Sequence, residues 1–153
     1  IADITESAFP YQSYRRRRHQ PSAIIAEAIS AASCDVAEEV GARAIVSATM
    51  SGSTARMIAR HRPATAIMAV SPNPETQRRL ALVWGVDCLL VPPFEHTDEM
   101  LEATMKALLP FYLDNDDTVV ITAGVPFGIS GTTNMIQVHA VGDVEMNGRA
   151  DEA

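Results

Sequence analysis

The sequence predicts an α/β domain built on a mostly parallel sheet covered on both faces. Short runs rich in Val, Ile and Ala alternate with helical patterns from residue 43 onward. Strands that read as continuous apolar runs are buried on both sides, which a parallel sheet with crossover helices requires. The exception comes at the end, where Thr118 to Thr122 and Asn134 to Val141 have no helix between them. Their connection of about a dozen residues can reverse the chain, so the last strand is expected to run antiparallel.

Composition bounds the function. At 153 residues, 47% hydrophobic and 20% charged, the chain can fold as one globular domain with a real core. A formal net charge of −7 argues against a general nucleic-acid binder, and 5% aromatics argue against base-stacking platforms. No apolar run reaches membrane-spanning length and no signal peptide is visible. Neither nucleic acid nor membrane is therefore expected as a partner, and the cytoplasm is the expected compartment. Two cysteines, Cys34 and Cys88, make no disulfide framework and are expected as buried, reduced thiols. The first residue is Ile1, so the chain reads as a piece of a longer protein.

Residues 1–21 read as the end of a preceding helix, Ile1 to Ser7, followed by a connector, Phe9 to Pro21. The connector carries Arg15-Arg-Arg-Arg18, taken as a solvated linker or domain-contact surface rather than an anion site. Residues 22–142 read as the domain and 143–153 as a flexible tail. Ser22 is a favourable N-cap for a helix to Val40, with Gly41 ending it. Ile25, Ala28, Ile29, Ala32, Val36 and Val40 recur on it at helical spacing, and Ala26, Ala28, Ala31 and Ala32 allow close packing on a sheet.

Strand one is expected over Arg43 to Ala48, then a helix over Thr54 to Arg60, ended by Arg62-Pro63. Strand two is expected over Thr65 to Val70. Pro74 opens the next helix at a favourable first-turn position and carries it to Leu82. Trp84 is expected in core or interface packing before strand three, Val86 to Val91. Thr97 or Asp98 caps a helix through about Leu109, with Met100, Leu101, Met105, Leu108 and Leu109 on its apolar side. Asp114 to Asp117 is a polar turn before strand four.

Candidate chemistry sits in two loops. Gly124-Val-Pro-Phe-Gly-Ile-Ser-Gly-Thr-Thr-Asn134 joins the last two strands and is rich in glycine and hydroxyl residues. Such a loop lets a ligand approach the backbone, and its N–H and O–H donors suit an oxyanion such as phosphate. Thr49-Met-Ser-Gly-Ser-Thr54 follows strand one and opens a helix, so its N–H groups also favour an anion. Ser51 or Ser53 could equally serve only as a helix cap. If strands one and four are neighbours, both loops lie at carboxyl strand ends and form one pocket where strand order reverses. The first loop lacks the glycine spacing and lysine of a P-loop, and no G-x-G-x-x-G follows strand one. His19, His61, His96 and His139 show no metal spacing. Arg56 and Arg60 share a helix face and read either as helpers of a bound anion or, at least as readily, as partners in salt links to neighbours. No catalytic set emerges, Ser51 and His61 lacking an orienting third group.

Several motifs resemble the C-terminal domain of pyruvate kinases. They are Ala48-Thr-Met-Ser-Gly-Ser-Thr-Ala-Arg56, Arg60-His-Arg-Pro63, Ala69-Val-Ser-Pro-Asn73, Arg79-Leu-Ala-Leu-Val-Trp-Gly-Val86, Asp117-Thr-Val-Val-Ile-Thr-Ala-Gly-Val-Pro126 and Gly131-Thr-Thr-Asn-Met-Ile-Gln-Val-His139. They occur in order and run from about Ser22 to Val141. The resemblance implies a three-layer α/β/α fold on a five-stranded mixed sheet of order 3-2-1-4-5, with strand five antiparallel. It implies a regulatory domain without catalytic residues, in a parent enzyme that transfers phosphate from phosphoenolpyruvate to ADP. That parent's Mg, K and ADP/ATP belong with a separate catalytic barrel, so no cofactor or metal is expected here.

It further implies that a phosphorylated effector, a sugar phosphate or a nucleotide, binds Thr49, Met50, Ser51, Gly52, Ser53 and Thr54. Gly128, Ser130, Gly131 and Thr132 would contact it from the closing loop. The implied partners are the catalytic domain and further copies of the chain in a homo-oligomer, with strand five near the interface. The alternative is a purely structural oligomerisation domain with a vestigial pocket. Three departures leave the effector's identity open. Ser53 stands where many relatives carry Arg or Lys, Pro92 to Asp98 holds no Trp or Arg, and Tyr11 to Gln20 carries the arginine run.

Overall fold

The computed structural model describes residues 4, 7–10, 13, 24–110, 112–129 and 131–142. In chain order the elements are α1 (Ile25–Glu39), β1 (Ala44–Ala48), α2 (Ser53–Arg60), β2 (Ala66–Ser71), α3 (Pro74–Leu80), β3 (Val86–Leu90), α4 (Thr97–Leu108), β4 (Thr118–Gly124) and β5 (Thr133–Ala140). The strands form one sheet of order β3-β2-β1-β4-β5. β1 pairs in parallel with β2 and β4, β2 pairs in parallel with β3, and β5 runs antiparallel to β4. The expected topology is therefore the one observed. The Ser22 cap, the arginine run and the tail lie outside the described residues.

Each face of the sheet has its own core. Val46, Met68, Val70, Val119 and Ile121 pack under α4 through Met100, Met105 and Leu108. Ile45, Ile67, Ala69 and Val120 pack on the other side under α1, α2 and α3 through Cys34, Ala37, Ile58 and Leu80. All five residues of β1 are buried, as a central strand covered on both faces demands. Fully burying one such Ile or Leu is worth about 1.5–3 kcal/mol.

Helix α1 corrects the expected apolar face. The side that meets the sheet carries Ala26, Ser30, Ser33, Cys34 and Ala37, while Ile25 is 68% and Val40 44% exposed. Small side chains let the helix approach closely, and the serines need no partner outside it. The Ser30 hydroxyl donates to the Ala26 carbonyl at 2.7 Å and Ser33 to Ile29 at 2.8 Å. The periodic set of Ile25, Ala28, Ile29, Ala32, Val36 and Val40 marks a face rotated outward from the buried one. The helix ends as Gly41 suggested, with Gly41 one position beyond the cap at φ 63°. The Ala42 N–H reaches the Ala37 carbonyl at 2.8 Å, which satisfies an orphan acceptor.

Other boundaries shift for local reasons. Asn73 caps α3 by accepting the Glu75 N–H at 2.9 Å, with Pro74 at the first helical position as expected. The helix stops at Leu80, two residues early, which leaves Leu82 91% exposed. His96, rather than Thr97 or Asp98, holds the N-cap position of α4. The Glu99 carboxylate turns back to accept the N–H groups of Glu95 at 2.9 Å and His96 at 3.4 Å. Cys34 is buried as expected, but Cys88 is half-exposed because β3 is an edge strand. Partial burial still pushes its thiol up to about 11.

Three outcomes follow. Ile58→Ala should cost about 2–5 kcal/mol of unfolding free energy by urea titration, because Ile58 is fully enclosed. Leu82→Ala should stay within about 0.5 kcal/mol. The Glu99 carboxyl sits below its ordinary 4.5 because the Glu95 N–H and, less strongly, the His96 N–H and ring favour the charged form. A depressed carboxylate stabilises the fold above its unfolded value and loses that contribution as pH falls through its folded value. The stability gap between the wild type and Glu99→Gln should therefore be open at pH 7 and close on acidification below about 4.5. A gap that stays constant with pH would refute this account of the α4 cap.

Candidate phosphate cleft at the carboxyl ends of β1 and β4

The register of β1 and β4 pairs Ala44 with Val119 and Ser47 with Thr122. Both strands run the same way, so the loops that follow them emerge at the same edge of the sheet. An open cleft lies between them. Its walls contain Thr49, Met50, Ser51, Ser53 and Thr54 from the first loop, and Gly128, Gly131 and Thr132 from the second. Ser130 lies outside the described residues. Gly52 is buried and is not among the wall residues.

The first loop is held from behind. The Thr49 hydroxyl accepts the Gly52 N–H at 3.0 Å, and the Thr49 N–H donates to the Val70 carbonyl at 3.0 Å. Thr76 of α3 donates its hydroxyl to the Met50 carbonyl at 2.6 Å. Gly52 takes φ 80°, and a Cβ there would stand 2.9 Å from Leu80 Cδ2. Both the left-handed backbone and the close approach therefore require glycine.

That glycine is the N-cap of α2 and offers no capping side chain. Ser51 and Ser53 do not act as its cap: the Ser51 hydroxyl donates to Ser53 Oγ at 3.2 Å. The N–H groups of Ser53, Thr54 and Ala55, in the first turn, have no acceptor within the helix. The positive end of the helix dipole therefore stands uncapped at the cleft. Thr54 is 3% exposed, and its hydroxyl pairs with that of Thr133 at 2.5 Å, which ties the start of α2 to the start of β5.

The second loop has firm ends. β4 runs two residues further than its sequence suggests, to Gly124, and the ladder to β5 shifts register between Ala123 and Gly124. The Asn134 amide then imitates a backbone partner. Its Oδ1 accepts the Val125 N–H at 2.9 Å and its Nδ2 donates to the Val125 carbonyl at 2.7 Å. The Val125–Pro126 peptide bond is cis. Gly128 and Gly131 take positive φ values of 88° and 83°. Thr132 closes the turn by donating its hydroxyl to the Ile129 carbonyl at 2.9 Å. Gly124 leaves no room for a side chain, since a Cβ would fall 2.6 Å from Thr132 Oγ1.

Sequence reasoning missed Ala48, Phe94, Gly124, Phe127, Ile129 and Thr133 as wall residues. Phe94 comes from the β3–α4 loop and meets Phe127 edge-on, with centroids 5.0 Å apart and planes at 83°. The quoted loop already held Gly124, Phe127, Ile129 and Thr133, and the resemblance implied that Phe127 to Thr133 closes over the effector, but nothing local distinguishes their inward sides. Phe94 follows β3, a strand two places from β1, so only the closed fold brings it in.

The other candidates lie elsewhere. Arg60 pairs with Glu27 at 3.2 Å, in line with the salt-link reading of that residue. His61 follows α2, His96 precedes α4 and His139 lies on β5, so they do not converge. Burial lowers the His139 pKa. Arg62, at φ 50°, places its guanidinium 4.0 Å over the Trp84 ring, so Trp84 is packed against a cation beyond α2. Among the described residues, no group of three His, Cys, Asp or Glu side chains is placed to hold a metal ion. No described helix is long and apolar enough to cross a membrane.

Comparison with known proteins follows this geometry. The family model described as the pyruvate kinase alpha/beta domain matches residues 27–139. A pyruvate kinase of Clostridium acetobutylicum is 37% identical over 143 residues, covering 92% of this chain and 30% of that protein. A pyruvate kinase of Staphylococcus aureus is 39% identical over 154 aligned positions, covering 97% of this chain and 26% of that protein. The chain thus spans between a quarter and a third of the length of these relatives. From the strand order to the motifs that frame the cleft, it belongs to the pyruvate kinase family as its C-terminal alpha/beta domain.

Proposed function

We propose that this chain is the regulatory domain of a pyruvate kinase and binds a phosphorylated metabolite, a sugar phosphate or a nucleotide, in the cleft. The anion would lie on the Thr49–Thr54 loop, with Gly128, Ser130, Gly131 and Thr132 closing over it. The observation that carries this reading is the uncapped start of α2, which faces a cleft lined with hydroxyls. An anion on a helix terminus gains about 0.3–1 kcal/mol when exposed and up to about 2 when partly buried. Each charge-assisted hydrogen bond adds about 1.5–3 kcal/mol.

In this reading the transfer of phosphate from phosphoenolpyruvate to ADP takes place in the catalytic barrel of the parent enzyme. The Mg, K and ADP/ATP belong there too. The isolated domain is then a cytoplasmic binding and assembly module rather than an enzyme. Support for assembly comes from β5, which ends the sheet with its outer edge unpaired among the described residues and Val138 46% exposed on it. An open edge strand offers a row of backbone partners to a second copy. The purely structural alternative keeps this edge and leaves the cleft vestigial.

The first of two measurements separates these readings, and the second tests the assembly edge that they share. Isothermal titration with inorganic phosphate and hexose monophosphates should give saturable binding that Ser53→Asp weakens at least tenfold. That carboxylate would sit on the first turn of α2, favourable to the helix but repelling an anion, so the melting temperature should hold or rise. No binding to the wild type leaves the structural alternative standing. In size-exclusion runs with light scattering, the wild type should self-associate, and Val138→Lys should shift it to monomer. A wild type that is monomeric at every concentration would remove β5 as an assembly edge.

A further inference from the structure

We infer that the core between α1 and the β1–β4 junction binds one internal water molecule, held by the hydroxyls of Ser47 and Thr122. The site lies inside the fold and is independent of what the cleft takes. Ser47 and Thr122 are fully buried, and among the described residues neither hydroxyl has a hydrogen-bond partner. The two residues are register partners on β1 and β4. Residues two apart on a strand share a face, so Ser47 follows Ile45 and Thr122 follows Val120 into the core under α1. A buried hydroxyl without a partner is costly, and native interiors seldom leave one unpaired. Here two of them stand side by side at the centre of the sheet.

The spacing suits one water. Side chains that rise from adjacent strands stand about 4.8 Å apart, the strand separation. That is too far for a direct hydroxyl bond. It fits a single oxygen between them, since each O–H···O bond spans about 2.7–2.8 Å. A third partner comes from α1. That helix ends where β1 and β4 begin, with the Arg43 N–H on the Thr118 carbonyl at 2.8 Å, so it runs back along the strands. Its Cys34 and Ala37 share a core with Ile45 and Val120. Four residues of helix advance about 6 Å and two residues of strand about 6.6 Å. Four positions before Cys34 and Ala37, the buried Ser30 and Ser33 therefore stand level with Ser47 and Thr122. Ser30 gives its proton to the Ala26 carbonyl and Ser33 to Ile29, so each oxygen keeps a lone pair as acceptor. A water accepting from Ser47 and Thr122 and donating to one of these serines makes about three bonds, the usual number for a buried water. An apolar guest would leave both sheet hydroxyls orphaned.

The test joins a high-resolution crystal structure of the full chain to a double-mutant cycle. The crystal structure should show one ordered water within hydrogen-bonding distance of both Ser47 Oγ and Thr122 Oγ1. In urea titrations, Ser47→Ala and Thr122→Val should each raise the unfolding constant about 5- to 30-fold, because each strips the water of a donor and orphans the other hydroxyl. The double variant should be no worse than the poorer single one, since no orphan then remains. A wild-type structure in which the two oxygens bond to each other or to main-chain groups, with no water between them, overturns the site. So do single variants that are as stable as the wild type or more so, the result expected if a methyl merely replaces an unpaired hydroxyl. Should either variant fail to fold, the wild-type crystal structure decides alone.

Discussion

The parallel pairing of β1 with β4 is the constraint on which the rest of the domain depends. β1 sits at the centre of the sheet with β2 on one side and β4 on the other. The chain moves outward from β1 through β2 to β3, then returns to the opposite side of β1 for β4. At that reversal no crossover helix can cover the ends of both strands, so a gap remains between the two loops. Thr54 and Thr133 stand 79 residues apart in sequence, yet they share a buried hydroxyl bond across that gap. The cleft is a product of strand order before it is a product of any side chain.

The walls of the gap are rigid where they join the sheet. Thr76 and Leu80 press the first loop from α3, and Asn134 replaces a missing ladder partner in the second. Glycine is used where a side chain cannot fit, at Gly52 against Leu80 and at Gly124 against Thr132. Between those fixed ends, the described residues of the second loop are held by the Phe94–Phe127 contact and the Thr132 turn.

Much of this was legible in the sequence, because the elements are separated by strong local signals. Pro74, Gly41 and the apolar strands each state a boundary or a period that packing does not overrule. Both loops could be singled out from glycine and hydroxyl content. Legibility failed where the deciding contact is distant. The buried side of α1 is chosen by how closely small residues approach the sheet, and Ser30 and Ser33 look polar until their own helix satisfies them. Phe94 reads as an ordinary apolar residue until β3 and β4 are both in place. The half-exposure of Cys88 depends on β3 being an edge, which no local pattern announces.

The Arg62–Trp84 contact has a consequence of a different kind. Trp84 is the chain's single tryptophan, and it lies beneath a guanidinium just past the far end of α2 from the cleft. Indole emission responds to a nearby charge and to solvent. Any movement that carries α2 relative to the β3 side of the sheet must alter the distance between that ring and its cation. The domain thus contains an intrinsic optical gauge on the helix whose first turn meets the cleft, readable without a label or a substitution.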